Sequence, residues 1–153
     1  MRTLHLLIIV MIFISLSCTQ KTVLSEEDKK AVETEIHQFM DSLNVAFESL
    51  TPERVFNYFL HTDEFAVASQ GNLITNPSAL LDTMKVHMAF MKTQTGKTID
   101  EKIFIINSDA AVISISRIGT ITFKNESQIN MPYALTMLLV KREGKWKIAH
   151  YHN

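Results

Sequence analysis

Apolar side chains recur every three or four positions at Val32, Ile36, Phe39, Met40, Leu43, Phe47 and Leu50. That spacing lays one continuous stripe along a helix. Ser25 is its N-cap, and Glu26, Glu27 and Asp28 fill a first turn in which the helix dipole favours anions. Asp28 stands at the capping-box position. A second helix opens at Thr51-Pro52, a cap followed by proline, and buries Val55, Phe56 and Phe59. Phe65 to Ser69 reads as a short strand, Gln70-Gly71-Asn72 as a turn and Leu73-Ile74 as the partner strand. Asn76-Pro77 repeats the cap-plus-proline start, and Leu80, Leu81, Met84, Met88 and Met91 form the buried stripe of a third helix.

From Thr98 the pattern changes. Residues 99–106, 110–123, 127–140 and 145–152 are rich in Ile, Val, Thr and aromatics. The breaks Asn107-Ser108-Asp109, Lys124-Asn125-Glu126 and Arg142-Glu143-Gly144 are short enough for hairpins, so these strands pair antiparallel. Three helices in the first half and a strand meander in the second predict an α+β fold, ordered α-α-β-β-α-β-β-β-β, with the helices on one face of the sheet. A parallel α/β arrangement would need crossover segments that the final four strands lack.

Composition narrows the classes. The chain has 153 residues and a formal net charge of −1, with 46% hydrophobic residues. That suits one domain with its own core and argues against a disordered chain. It lacks the basic balance of a nucleic-acid binder. Cys18 is the only cysteine, which excludes a disulfide framework or a cysteine-rich zinc site.

Residues 1–17 begin with a positive Arg2, followed by an apolar run from Leu6 to Ile14 and two serines flanking Leu16. The run is shorter than the roughly 20 residues a spanning helix needs and fits a secretory signal. The cysteine ends this segment in Ser15-Leu16-Ser17-Cys18, which resembles the lipobox of bacterial lipoproteins, with Ser15 where leucine is usual. The resemblance implies a lipidated Cys18 as the first mature residue, a tether over 18–24, a domain over 25–153, and attachment to a membrane of the bacterial cell envelope. Several acyl chains hold a protein stably, at about 0.8 kcal/mol per buried CH₂. Loss of Arg2 takes the 15 basic residues to 14 against 16 acidic, a mature charge of −2.

The element order and the ending Gly144, Trp146, Ile148, His150, His152 resemble the SnoaL-like branch of the nuclear transport factor 2-like superfamily. The resemblance implies a cone: a strongly curved, mainly antiparallel sheet wrapped round the helices, with a pocket at one end. That fold carries isomerases, cyclases, dehydratases and proteins without known chemistry, so it does not settle function. Relatives of the ketosteroid-isomerase type carry a carboxylate base on the first short strand, where this chain has Ala68 and Ser69. A serine hydroxyl does not abstract a carbon-bound proton unaided near neutral pH.

Register places the pocket. With a three-residue loop at Arg142-Glu143-Gly144, Val140 pairs Trp146, Leu138 pairs Ile148, Thr136 pairs His150 and Ala134 pairs His152, whereas a two-residue loop would put Met137 beside His150. Alternation then puts Trp146, Ile148, His150 and His152 on one face, leading toward the cone's mouth. The expected ligand-pocket residues are Tyr58, His87, Thr136, Trp146, His150 and His152. His150 and His152, with imidazoles roughly 6.5–7 Å apart, are also the candidates for acid–base chemistry. Zinc wants a third protein ligand, and His87 alone tempts, so neither a metal nor another cofactor is expected. Arg117, mid-strand, needs a carboxylate or anionic ligand if buried; on the outer face it needs only water. Asp63 and Glu64 mark a solvated turn. The expectation is an envelope-anchored pocket that binds a small, largely apolar ligand without catalysis. Two alternatives stand beside it: a small-molecule lyase or isomerase using His150 and His152, and a structural module that forms a homodimer through the outer sheet face.

Overall fold

The computed structural model describes residues 24–153. The signal segment, Cys18 and the tether up to residue 23 lie outside the described residues. Three helices and six strands follow in the order α1 (Glu26–Glu48), α2 (Pro52–Phe56), β1 (Ala66–Ser69), β2 (Asn72–Ile74), α3 (Pro77–Met88), β3 (Met91–Asn107), β4 (Ala110–Phe123), β5 (Gln128–Arg142) and β6 (Lys145–His152). Among the described residues no helix is long and apolar enough to cross a membrane.

The helix starts are local chemistry. Ser25 Oγ accepts the Asp28 N–H at 3.1 Å, and the Asp28 carboxylate accepts the Ser25 N–H at 3.2 Å, so both halves of the capping box form. Asn76 Oδ1 accepts the Ser78 N–H at 2.9 Å ahead of α3. The inner stripe of α1 is Val32, Ile36, Phe39, Met40, Leu43 and Ala46, with Phe47 only partly buried. The second helix is shorter than its apolar residues predict. Beyond Phe56 the chain leaves the helix and bonds to β6: the Ile148 N–H donates to Tyr58 O at 2.8 Å, and the Leu60 N–H to Ile148 O at 2.9 Å. This extended path sends Phe59 into the main core and Leu60 into a small outer cluster with Val140 and Ala149.

The sheet runs β2-β1-β6-β5-β4-β3. Every pairing is antiparallel except β1 with β6, which is parallel. Irregularities at Met91/Thr93, Thr98/Asp100 and Ile105/Asn107 interrupt the long ladder between β3 and β4. Such insertions bend strands and raise their twist, and the sheet curves over α1 without closing. The core lies between α1 and the inward residues of the last strands, among them Ile113, Ile115, Met137, Leu139 and Ile148.

Two sequence expectations need correction. Met91 belongs to a strand, because α3 stops at Met88 and the polar stretch from Met91 to Thr98 pairs with the far half of β4. As the edge of the sheet it needs no apolar run. The β5–β6 connection is a two-residue turn, not three: Arg142 pairs Lys145, and both Glu143 (φ 52°) and Gly144 (φ 73°) are left-handed, the requirement of a type I′ hairpin. Leu139 then faces Ile148 while Leu138 faces His150, so Ala149 is an extra residue in β6. That bulge reverses the alternation. Tyr151, opposite Met137, turns toward the core, and His150 and His152, opposite Leu138 and Thr136, turn to the outer face.

Candidate functional site

At the open end of the cone, between the C-terminal half of α1 and the inner faces of β3, β4 and β5, lies a hollow of about 180 Å³. Its walls are mostly apolar: Met40, Leu43, Phe47, Leu135, Met137 and Ile148 contribute. Its polar side chains include Asn44, Gln94, Arg117, Tyr133 and Tyr151, with Glu48 as the one carboxylate side chain of the lining.

Arg117 dominates the electrostatics. It is the one charged residue among the buried ones described, at 7% exposure. Strand phase explains its position: Ala111, Ile113, Ile115 and Arg117 occupy alternate positions of β4, and all four are buried. Its guanidinium donates from Nη1 to Asn44 Oδ1 at 2.7 Å and from Nη2 to Gly96 O at 3.1 Å. Both acceptors are neutral. The buried Nε has no hydrogen-bond partner, and among the described residues Arg117 makes no ion pair. Burying a cation without a counter-charge is costly.

The backbone is adapted to this arginine. A Cβ on Gly96 would stand 2.8 Å from Arg117 Nη2, so glycine is what lets the β3 carbonyl reach the guanidinium. A Cβ on Gly119 would stand 3.1 Å from the Tyr133 ring, whose residue pairs directly with Arg117 across β4 and β5. Burial pushes the Tyr151 phenol up to about 12, with Tyr133 adding to the rise and Arg117 opposing it. With or without this rise the Tyr151 phenol is protonated near neutral pH, and its hydroxyl can donate.

The six residues expected to line a pocket do not share this hollow. Tyr58 and Trp146 border a shallow outer groove with Glu35 and Lys147. Trp146 Nε1–H donates to Glu35 Oε2 at 2.8 Å, Lys141 Nζ lies 2.5 Å from the same oxygen, and Lys141 stands 5.1 Å above the indole. This cluster pins the hairpin to α1. The Lys141 contact, followed by that of Trp146, holds the Glu35 carboxyl below its ordinary value. His87 is exposed at the end of α3, beside a separate groove formed with Phe90, Met91 and Phe123. Thr136 bonds Ser114 at 3.1 Å on the outer face. His150 and His152 stand on that face too, carried there by the Ala149 bulge.

Sequence reasoning therefore missed the hollow's own polar groups. Asn44, Gln94 and Tyr133 carried no local signal. Arg117 did: its even spacing from Ile113 and Ile115 places it on their face, a stronger clue than its neighbour Ile118. Among the described residues no group of three or more His, Cys, Asp or Glu could hold a metal ion.

Comparison with known proteins agrees with this architecture. The chain resembles a candidate scytalone dehydratase from Novosphingobium aromaticivorans (14% identity, TM-score 0.76, covering 84% of this chain and 86% of that one). It is similar to a nuclear transport factor 2-like superfamily protein from Salmonella enterica (16% identity, TM-score 0.72, 81% and 90% covered). A type 3 hexachlorocyclohexane dehydrochlorinase from Novosphingobium barchaimii is a third (14% identity, TM-score 0.68, 84% and 88% covered). At these identities the likeness is one of fold. No curated protein matches the chain significantly. The profile described as "SnoaL-like domain" matches residues 36–153, from the middle of α1 through β6. With the helices, the mixed curved sheet and the hollow in place, the chain belongs to the SnoaL-like domain family, and its fold is the one seen in the nuclear transport factor 2-like protein.

Proposed function

We propose that this protein is a receptor: its conical hollow binds a small, largely apolar ligand without transforming it. The observation that carries the reading is the lining itself, apolar on most sides and about 180 Å³ in volume. An engineered cavity of about 150 Å³ already holds benzene, so a ligand of one ring with a small substituent suits the space. Four of the structural relatives are named for dehydration or dehydrochlorination, and both are eliminations that need a base. Here the described lining includes no imidazole, and its one carboxylate side chain, Glu48, is solvent-exposed, which favours binding over proton abstraction. Native mass spectrometry of the protein from its own cells, with toluene titration followed by NMR as a defined probe, tests this. Retention of a small compound, or saturable toluene shifts at Leu43, Leu135 and Met137, supports it. Failure of both removes it.

The same proposal places the receptor at the bacterial cell envelope, anchored by a lipidated Cys18. Its support is the signal-like run and the lipobox-like end of residues 1–18. The mass of the mature N-terminal peptide decides, and an unmodified Met1 or a non-lipidated Cys18 refutes it. A second reading, dimerisation through the outer sheet face, draws on Phe104 and Ile106, which are 53% and 60% exposed on β3. A concentration-independent monomer in light scattering would eliminate it.

A further inference from the structure

We propose that the ligand of the hollow carries one carboxylate on its apolar body, and that Arg117 recognises that carboxylate. The inference rests on the reading of the hollow as a ligand site and adds the chemical class of its occupant. A guanidinium has five N–H donors, and the described residues accept from Nη1 and Nη2 only, at Asn44 and Gly96. The Nε–H remains buried without an acceptor. A carboxylate accepts from adjacent guanidinium nitrogens in a planar, bidentate arrangement, and such charge-assisted bonds are among the strongest available.

The lining also selects among anions. Arg117, on β4, is its one cation, and Glu48, at the end of α1, is its one carboxylate side chain. A monoanion balances one buried guanidinium, whereas a phosphoryl dianion would need a second cation and would face the Glu48 charge. Tyr133, which pairs with Arg117 across the sheet, and the protonated Tyr151 bring phenol hydroxyls to the same wall as further donors. The apolar residues on the other walls receive the body of the ligand. The volume limits that body to about the size of one aromatic ring.

The test uses the full-length protein with benzoate, its near-isosteric neutral analogue benzamide, phenylphosphonate and toluene, each titrated by NMR. Benzoate is expected to bind at least about tenfold more tightly than benzamide, the scale of one hydrogen bond to a charged group. The Arg117 Nε–H resonance is expected to move downfield with benzoate and to stay in place with toluene. In Arg117→Met the benzoate preference collapses to about twofold or less, while toluene still binds. If this variant fails to fold, the Nε–H shift and the benzoate-to-benzamide ratio in the unmodified protein decide alone. Toluene binding with no benzoate preference overturns the carboxylate and leaves the apolar receptor standing. Phenylphosphonate binding more tightly than benzoate overturns the choice of carboxylate. Failure of toluene and benzoate alike removes the receptor and this inference together.

Discussion

Gly96→Ala offers a direct measure of how firmly Arg117 is held. In an exposed strand, replacing glycine by alanine ordinarily stabilises by about 0.5–1 kcal/mol, because the unfolded chain loses freedom. Here the new methyl would lie 2.8 Å from Arg117 Nη2, 3.2 Å from Cζ and 3.4 Å from Nε. The side chain that has to yield is long, and its far end would give way cheaply if it were free. It is not free: it is buried and tied to Asn44 and to Gly96 itself. Moving it breaks at least the 3.1 Å bond to Gly96 O, and a hydrogen bond to a charged group contributes about 1.5–3 kcal/mol. The second effect wins. Gly96→Ala should destabilise by about 1–2 kcal/mol, a fall in melting temperature of roughly 2–8 °C for a chain of this size. Urea unfolding supplies the free energy, and a double-mutant cycle supplies the cause. With Arg117→Met in place the clash partner is gone, and the same glycine substitution should become neutral or stabilise by up to about 1 kcal/mol. A stabilised Gly96→Ala single variant, or an equal loss in both backgrounds, would refute the account of a pinned guanidinium.

Glu35 is acidified by Lys141 and by Trp146, so its contribution to stability is present above the ordinary carboxyl value of 4.5 and is lost as pH falls through the lowered native value. Glu35→Gln should flatten the acid limb of a stability–pH curve there, and an unchanged limb would dismiss the cluster as a stabilising device. For Tyr151 the sign reverses: the native phenol is raised from 10 to about 12, so the stability it contributes is complete below pH 10 and is lost as pH climbs toward 12. Ultraviolet titration of the native protein should show one of the three tyrosines ionising last, and that step should vanish in Tyr151→Phe. His150→Ala and His152→Ala, both on the outer face, should leave toluene and benzoate binding within about twofold of the parent value. A larger loss would show that the β6 bulge does not face these rings away from the hollow.

Elements whose causes lie within a few residues were legible. The Ser25 capping box, the Asn76-Pro77 start and the β4 alternation all follow from side chains next to the backbone they shape. The hollow was legible as a consequence of the resemblance and was populated from the wrong face of β6. The reason is one residue: an alternating Trp-Lys-Ile pattern continues smoothly into Ala149-His150, and only the inward demand of Tyr151 hints that a position has been inserted. Register in an antiparallel pair flips every side chain beyond the error, so a correct strand assignment gave an incorrect site. The start of β3 was hidden for a different reason. An edge strand half in water carries polar residues such as Lys92, Thr93 and Thr95 on both faces, which breaks the periodicity that strand reading depends on. Arg117 was visible in phase but undervalued, because arginine is seldom fully buried.

The parallel seam between β1 and β6 has a consequence for how the chain comes off the ribosome. β1 is made early and β6 some eighty residues later, yet β6 occupies the place between β1 and β5. Until it is synthesised, the small hairpin of β1 and β2 has no edge on which to dock, and α1 has only part of its floor. Long-separation pairings of this kind slow folding and keep apolar surface uncovered meanwhile. Assembly therefore waits on Lys145–His152, and a nascent chain halted before that segment holds two unjoined halves of a sheet.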